Sequence, residues 1–208
     1  MKPHPLSLAL ALVLPGMLSA QQREPHGHAD SHARQLDQLV VTASPLKTGA
    51  EDLVKPVEIL AGSALDDRRA GTLGETVSSL TGVQSSFFGA GVGRPIIRGQ
   101  EGARVQVLSE GSASLDASTT SVDHAVSIEP FLADQIEVLK GPATLLYGAG
   151  AIGGAVHVVD GRIPTVAAER ALSGRAEVRG GSVADERTAL LRLDGGRGRV
   201  AWHLDGFR

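Results

Sequence analysis

Glycine interrupts this chain so often that long uniform elements are excluded, and the fold is confined to short strands, turns and close backbone contacts. Twenty-six glycines stand against one Trp and one Tyr in 208 residues, so the core cannot rest on bulky aromatic side chains. The length allows one domain with a modest core plus flanking segments. There is no Cys, which removes disulfides, thiolate-ligated zinc and thiol catalysis. A formal net charge of -3 gives no sign of the basic surface that nucleic acid requires.

The first twenty residues read as an export signal. Lys2 is the charged start, Leu6 to Leu14 a short apolar run, and Leu18-Ser19-Ala20 a cleavage site after the break at Pro15-Gly16. The run is too short to span a bilayer as a helix, and no later segment resembles a transmembrane helix; a membrane location therefore requires a β-barrel. Residues 21 to 36 form a polar leader. Within it His26, His28, Asp30 and His32 lie close together. Neutral imidazole suits zinc and other first-row metals, so this stretch reads either as a loose metal catcher or as a solvated linker. Leu39 to Ala43 is apolar, β-prone and isolated, ending at Ser44-Pro45. It fits pairing with another protein's sheet edge or the first strand of the following domain.

From Val54 the pattern becomes that of a mixed α/β domain of short elements, roughly Asp52 to Pro164. Val57 to Leu60 reads as a strand, and Ser63 as the cap of a short helix running to Arg69. Thr72 and Glu75 form a capping box ahead of Leu73, Val77 and Leu80 at helical spacing. Pro95 to Arg98, Val105 to Leu108, Ile136 to Leu139 and Val156 to Val159 read as strands, with a turn at Glu110-Gly111. Pro130 opens a predicted helix to about Gln135. In the tail, Gly174 to Gly180, Thr188 to Leu193 and Arg199 to Leu204 are strand candidates, with a hairpin turn expected at Gly195-Gly196. Arg175, Glu177 and Arg179 alternate with Ala176 and Val178. Such alternation fits an outer-membrane strand and equally a soluble antiparallel sheet. Trp202 and Phe207 are candidates for an aromatic girdle.

Gly148 to Gly153 matches G-x-G-x-x-G, the spacing of a dinucleotide-binding turn. That turn must open a helix whose N-terminus faces the pyrophosphate. Here a β-branched run, Val156-His157-Val158-Val159, follows instead, so the glycines read as a turn that lets backbones pack closely. No cofactor-binding residue is assigned, and a nicotinamide enzyme is the outlying alternative. No serine stands in a G-x-S-x-G setting, and no nucleophile, base and orienter pattern is visible, so the chain does not read as an enzyme. Asp123-His124 stands in a polar loop. The pair can supply two ligands of a metal site completed elsewhere, or Asp123 can cap a helix that includes His124.

The ordered motifs Leu39-Val40-Val41-Thr42-Ala43, Leu73-Gly74-Glu75-Thr76-Val77, Pro95-Ile96-Ile97-Arg98-Gly99, Ile136 to Pro142, Leu145 to Gly148 and Ile152-Gly153-Gly154 resemble TonB-dependent outer-membrane receptors. The likeness runs from about Gln35 to Pro164. It implies an α+β plug domain of short mixed strands and helices, followed by the start of an antiparallel transmembrane β-barrel. The implied domains are a signal peptide at 1-20, a leader at 21-51 and a plug at 52-164, with the first barrel strands at 165-208. The TonB box falls within the leader, on Asp37, Leu39, Val40, Val41, Thr42 and Ala43. The implied location is the bacterial cell outer membrane, and the implied partner is the inner-membrane protein TonB, with no ATP site. Arg98, Glu137 and Lys140 are expected in plug or plug-barrel ion pairs.

Pro95 to Gly102, Val122-Asp123-His124-Ala125 and Val158 to Pro164 further resemble the zinc-uptake branch of these receptors. In that branch an Asp-His pair in the plug contributes to a metal site that barrel residues complete, which implies metal roles for Asp123 and His124. His26, His28 and His32 are lesser metal candidates. The implied cargo is zinc, with haem or a siderophore as alternatives, and no cofactor is required. The family's barrel has about 22 strands, so it needs several hundred residues, and three strands cannot close one. The expectation is an N-terminal portion of a longer receptor; the alternative is a free periplasmic plug-like module that binds metal or TonB without transport.

Overall fold

The computed structural model describes residues 57-164, 170-182 and 185-208, with the side chains of Ala143 and Leu146 excepted. The signal peptide, His26, His28, His32 and the segment Asp37 to Ala43 lie outside the described residues.

Strand β1 (Val57–Ala61) leads directly into α1 (Gly62–Asp66), and α2 (Leu73–Val77) follows. A short hairpin comes next, β2 (Val83–Ser85) with β3 (Pro95–Ile97). Then come β4 (Val105–Ser109), β5 (Ser112–Ala113), β6 (Gln135–Leu139) and β7 (Gly154–Val159). The five-stranded sheet has the order β1-β6-β7-β4-β5. Only β4 and β7 pair in parallel. The two central strands β6 and β7 are buried on both faces along almost their whole length, which explains their continuous β-branched character. On one face Ile136, Val138, Val156, Val158 and Val107 pack against Leu65, Leu73 and Val77 of the two helices. On the other face Leu108, Leu139 and Ala155 meet Ala151 and Tyr147.

Thr72 is the N-cap of α2 as expected, but the Glu75 side chain takes the Thr72 hydroxyl where a full capping box would take the Thr72 amide. Thr72 Oγ1 accepts from the Glu75 amide at 3.2 Å and donates to Glu75 Oε2 at 2.9 Å. The first helix differs from the expectation: it ends at Asp66, and its N-cap is Ala61 with no side-chain cap, so Ser63 lies inside the helix. Pro130 opens only a 3-10 turn, Pro130–Leu132. The helix expected to run to Gln135 gives way because Gln135 already pairs with Ala61 and Val159.

The tail forms a three-stranded antiparallel sheet of β8 (Leu172–Gly181), β9 (Glu186–Arg197) and β10 (Val200–Phe207), with β9 central. The expected turn at Gly195-Gly196 lies inside β9, and the chain reverses instead after Arg197, where Gly198 takes φ 63°. The reason is local: a side chain on Gly195 would run into the Trp202 indole opposite it. One face of this sheet is apolar and exposed, with Leu172, Val178, Leu191, Val200, Trp202 and Leu204. The other face turns Arg175, Glu177, Arg179, Arg192, Asp194, His203 and Asp205 inward, toward the five-stranded domain or one another. Phe207 sits at odd register from Trp202 and so on the opposite face; the expected girdle reduces to Trp202. No helix among the described residues is long and apolar enough to cross a membrane.

Candidate functional site

Two constellations carry chemistry. The first is the loop between β5 and β6. Asp116 staples it: the carboxylate accepts from the Ser118 amide at 3.0 Å, the Ser127 amide at 2.9 Å and the Ser114 hydroxyl at 2.9 Å. Partial burial on its own would raise the Asp116 pKa. The Ser118 hydroxyl, the Ser127 amide and the other donors outweigh burial and hold the carboxyl below its ordinary value of 3.8. Buried Arg94 fixes the same loop by donating to the Ser118 carbonyl, and it lies 3.6 Å from Glu101.

The stapled loop presents Asp123 and His124 to solvent, their side chains 51% and 54% exposed. His124 Nδ1 lies 2.9 Å from Asp123 Oδ1, and the Ser121 hydroxyl donates to that same oxygen. The Ser121 hydroxyl first, then His124, holds the Asp123 carboxyl below its ordinary range. Neither residue lies in a helix, so Asp123 caps none. Among the described residues no group of three or more His, Cys, Asp or Glu is placed to hold a metal. The pair can supply two donors, Asp123 Oδ2 and His124 Nε2, to an ion whose other ligands come from elsewhere.

The second constellation is the seam between the five-stranded domain and the inward face of the three-stranded sheet. It was not legible as a unit in the sequence. The segment Glu129 to Asp134 runs along it. Arg192 of β9 clasps Asp134 with two parallel hydrogen bonds, both 2.9 Å, and donates to the Leu132 carbonyl at 2.7 Å. Arg175 of β8 donates to the Ala133 carbonyl at 3.0 Å and sits 3.4 Å from Asp134. Arg179 of β8 pairs with Glu129 at 3.0 Å and Glu177 at 3.3 Å. Phe131 is buried with Leu132 and Leu190, and Arg175 and Arg69 lie over its ring at 5.3 and 5.9 Å. A bidentate arginine–carboxylate pair such as Arg192 with Asp134 fixes orientation as well as affinity. The only hint in the sequence was the strict alternation of arginines in β8.

The expected ion pair of Lys140 forms within the five-stranded domain, and Glu137 is held there by hydrogen bonds. Lys140 Nζ binds Glu58 at 2.9 Å and also donates to the Thr81 carbonyl. Glu137 is fully buried; it accepts from Gln135 at 2.7 Å and faces His157 Nδ1 at 3.3 Å across the β6-β7 pair. The Gly111 amide donates to His157 Nε2, so the Nδ1 nitrogen carries the proton aimed at Glu137. Arg98 makes no ion pair with any described residue; it sits at φ 52°, its amide donating to the Gly82 carbonyl. The Gly148 to Gly153 turn leads into strand β7, which lacks the helix N-terminus that a pyrophosphate needs.

A protein-family description, the TonB-dependent receptor plug domain, matches residues 50-155. A hemin receptor of Yersinia pestis is 28% identical over 152 residues, covering 73% of this chain and 22% of the receptor. The vitamin B12 transporter BtuB of Vibrio cholerae is 31% identical over 153 residues, covering 73% of this chain and 24% of the transporter. The crystal structure of the siderophore receptor PirA from Pseudomonas aeruginosa superposes with a TM-score of 0.53 at 23% identity, covering 73% of this chain and 28% of that one; at that identity the likeness shows the fold. The chain thus spans about a quarter of the length of the relatives it matches. These relatives are receptors and transporters, not enzymes. With half of its length matched and a mixed-sheet plug followed by antiparallel strands, the chain belongs to the TonB-dependent receptor family, as its plug domain and the strands that follow.

Proposed function

We propose that the chain serves in a TonB-dependent outer-membrane receptor for active uptake of a metal or metal complex, with zinc the favoured cargo and haem or a siderophore the alternatives. The observation that carries this reading is the two-faced sheet β8-β9-β10. Its inward face grips the plug through Arg175, Arg179 and Arg192, while its outward face is apolar. A barrel wall around a plug needs that division, with lipid on one side and polar groups on the other. The names of the relatives, a hemin receptor and a vitamin B12 transporter, support uptake of a bulky or metal-bearing cargo.

In this reading residues 1-20 direct export, 21-51 form the leader, 52-164 the plug and 165-208 the first wall strands of the outer-membrane barrel. TonB engages Asp37 to Ala43 by strand addition and transmits force to the plug. Asp123 and His124 hold zinc from the plug side, and further wall residues complete the site. His26, His28 and His32 act as a looser metal-catching stretch. The test is zinc uptake by cells carrying the whole receptor. Asp123→Ala with His124→Ala lowers uptake at least tenfold, and Leu39→Pro abolishes it together with cross-linking to TonB. Undiminished zinc uptake in the double variant sinks the zinc site while leaving TonB-dependent transport standing.

The separate hydrophobic core of the five-stranded domain supports the second reading, a free periplasmic plug-like module. Tight zinc or TonB binding by the purified chain, with no uptake in cells, would favour that reading.

A further inference from the structure

We propose that His203 is a proton-operated clasp between the wall and the plug: the wall grips the plug while the imidazole carries both protons, and it loosens when one is released to water. The proposal rests on the seam alone and needs neither the zinc site nor TonB.

His203 lies on the inward face of β10 with its side chain 7% exposed. Its Nδ1 is 2.6 Å from Asp194 Oδ1 of β9, and its Nε2 is 2.8 Å from Asp205 Oδ2 of its own strand. An ionised carboxylate oxygen only accepts, so each ring nitrogen donates, and the group is the imidazolium. Each carboxylate also holds an arginine that belongs to the grip on the plug. Asp194 Oδ2 accepts from Arg192 Nε at 2.8 Å, and Arg192 is the residue that clasps Asp134 of the plug. Asp205 Oδ2 lies 3.6 Å from Arg162 Nε, and Arg162 is equally close to Asp160 at the end of the plug. Arg175 of β8 closes the row on Asp134.

Among the described residues of this row, four cations (Arg162, Arg175, Arg192 and His203) face four carboxylates (Asp134, Asp160, Asp194 and Asp205). The row is balanced only when His203 is charged. Loss of one proton leaves a ring lone pair aimed at a carboxylate oxygen, on a side chain only 7% exposed. That carboxylate must turn away, and it draws with it either Arg192 and its clasp on Asp134, or Arg162.

The test uses the full 208-residue chain in detergent micelles, labelled with ¹⁵N-histidine, with His203→Gln to assign the His203 signals. The ring nitrogens are followed against pH. In parallel, hydrogen exchange of the Asp134 and Arg162 amides, which donate to the Val159 carbonyl and to Asp160, is corrected for intrinsic base catalysis. The expected result is at least a tenfold loss of protection at both amides in step with deprotonation of His203, and low protection without a step in His203→Gln. Protection that stays flat while His203 titrates overturns the proposal, as does a singly protonated ring in the gripped state. Should His203→Gln fail to fold, Asp205→Asn replaces it: the step at Arg162 shrinks and the step at Asp134 stays, and an unchanged step at Arg162 overturns the clasp.

Discussion

Arg192 shows what one inward-facing side chain does. It is 6% exposed and satisfies both oxygens of Asp134, the Leu132 carbonyl and Asp194. Arg192→Ala strips the donor from that largely buried carbonyl and removes the cation that Asp134 and Asp194 share. The expected cost is about 2 kcal/mol, read as a lower urea midpoint of the chain in detergent. Arg187 makes an ion pair of similar length with Asp185, but both side chains are 85% exposed. Solvent screens that pair, so Arg187→Ala leaves the midpoint unchanged. Asp116 gives a pH signature in the loop between β5 and β6. Its pKa is lowered in the folded chain, so its contribution is fully present above the ordinary carboxylate value and is lost as pH falls through the lowered one. Exchange protection of the Ser127 amide therefore falls with acid below about pH 3.8. Asp116→Asn, which keeps only one acceptor oxygen, shows weaker protection and no such step.

At the scale of elements, the glycines decide how closely strands and turns can approach. A methyl on Gly154 at the start of β7 would lie 2.7 Å from Ile97 Cδ1 and 3.0 Å from the Leu139 carbonyl. Neither neighbour can retreat, because both belong to buried strands. Gly154→Ala is expected to cost about 1–3 kcal/mol by overpacking. At Gly150 the nearest atom is the far end of the Gln106 side chain at 2.8 Å, which can swing aside, so Gly150→Ala lowers the melting temperature far less. Comparing the two melting temperatures checks this. The same scale explains the differences from the sequence reading. Pro130 is well suited to a helix start, but Asp134 and Gln135 are taken by hydrogen bonds to β7, β9 and β1, and three residues of 3-10 turn are all that remain. The pair Gly195-Gly196 carries a strong turn signal, yet the packing of Trp202 claims Gly195 for the middle of a strand.

At the scale of the whole molecule, the two faces of β8-β9-β10 set the proposed place of the chain in a membrane. Val178, 84% exposed on the outward face, is predicted to meet lipid. In the whole receptor Val178→Arg should lower the yield of folded, protease-protected barrel in phospholipid vesicles, by an amount consistent with about 2–4 kcal/mol for a charge near the bilayer midplane. A sheet that faced water would accept the same arginine without loss. The inward face asks for the opposite: arginines there are held by carboxylates and carbonyls of the plug.

Much of this was written in local residue patterns. β-Branched runs named β4, β6 and β7, a Thr and a Glu three residues apart capped α2, and alternating arginines marked β8 as a strand with two unlike faces. These signals survive reading because each depends on neighbours within a few positions along the chain. Asp123 and His124 were legible as a pair for the same reason, being adjacent. The staple by Asp116 spans eleven residues to Ser127, and the clasp from Arg192 to Asp134 spans 58. No local pattern says which of many carboxylates an arginine will meet. That choice was made only when the sheet's inward face came to rest against the plug, where each charge without water must find a partner. The sequence by itself determined β4, β6, β7, α2 and the two unlike faces of β8, because each rests on near neighbours in the chain; the tertiary structure alone decided where the tail turns, how far the Pro130 segment coils and which charges join the five-stranded domain to the sheet beside it.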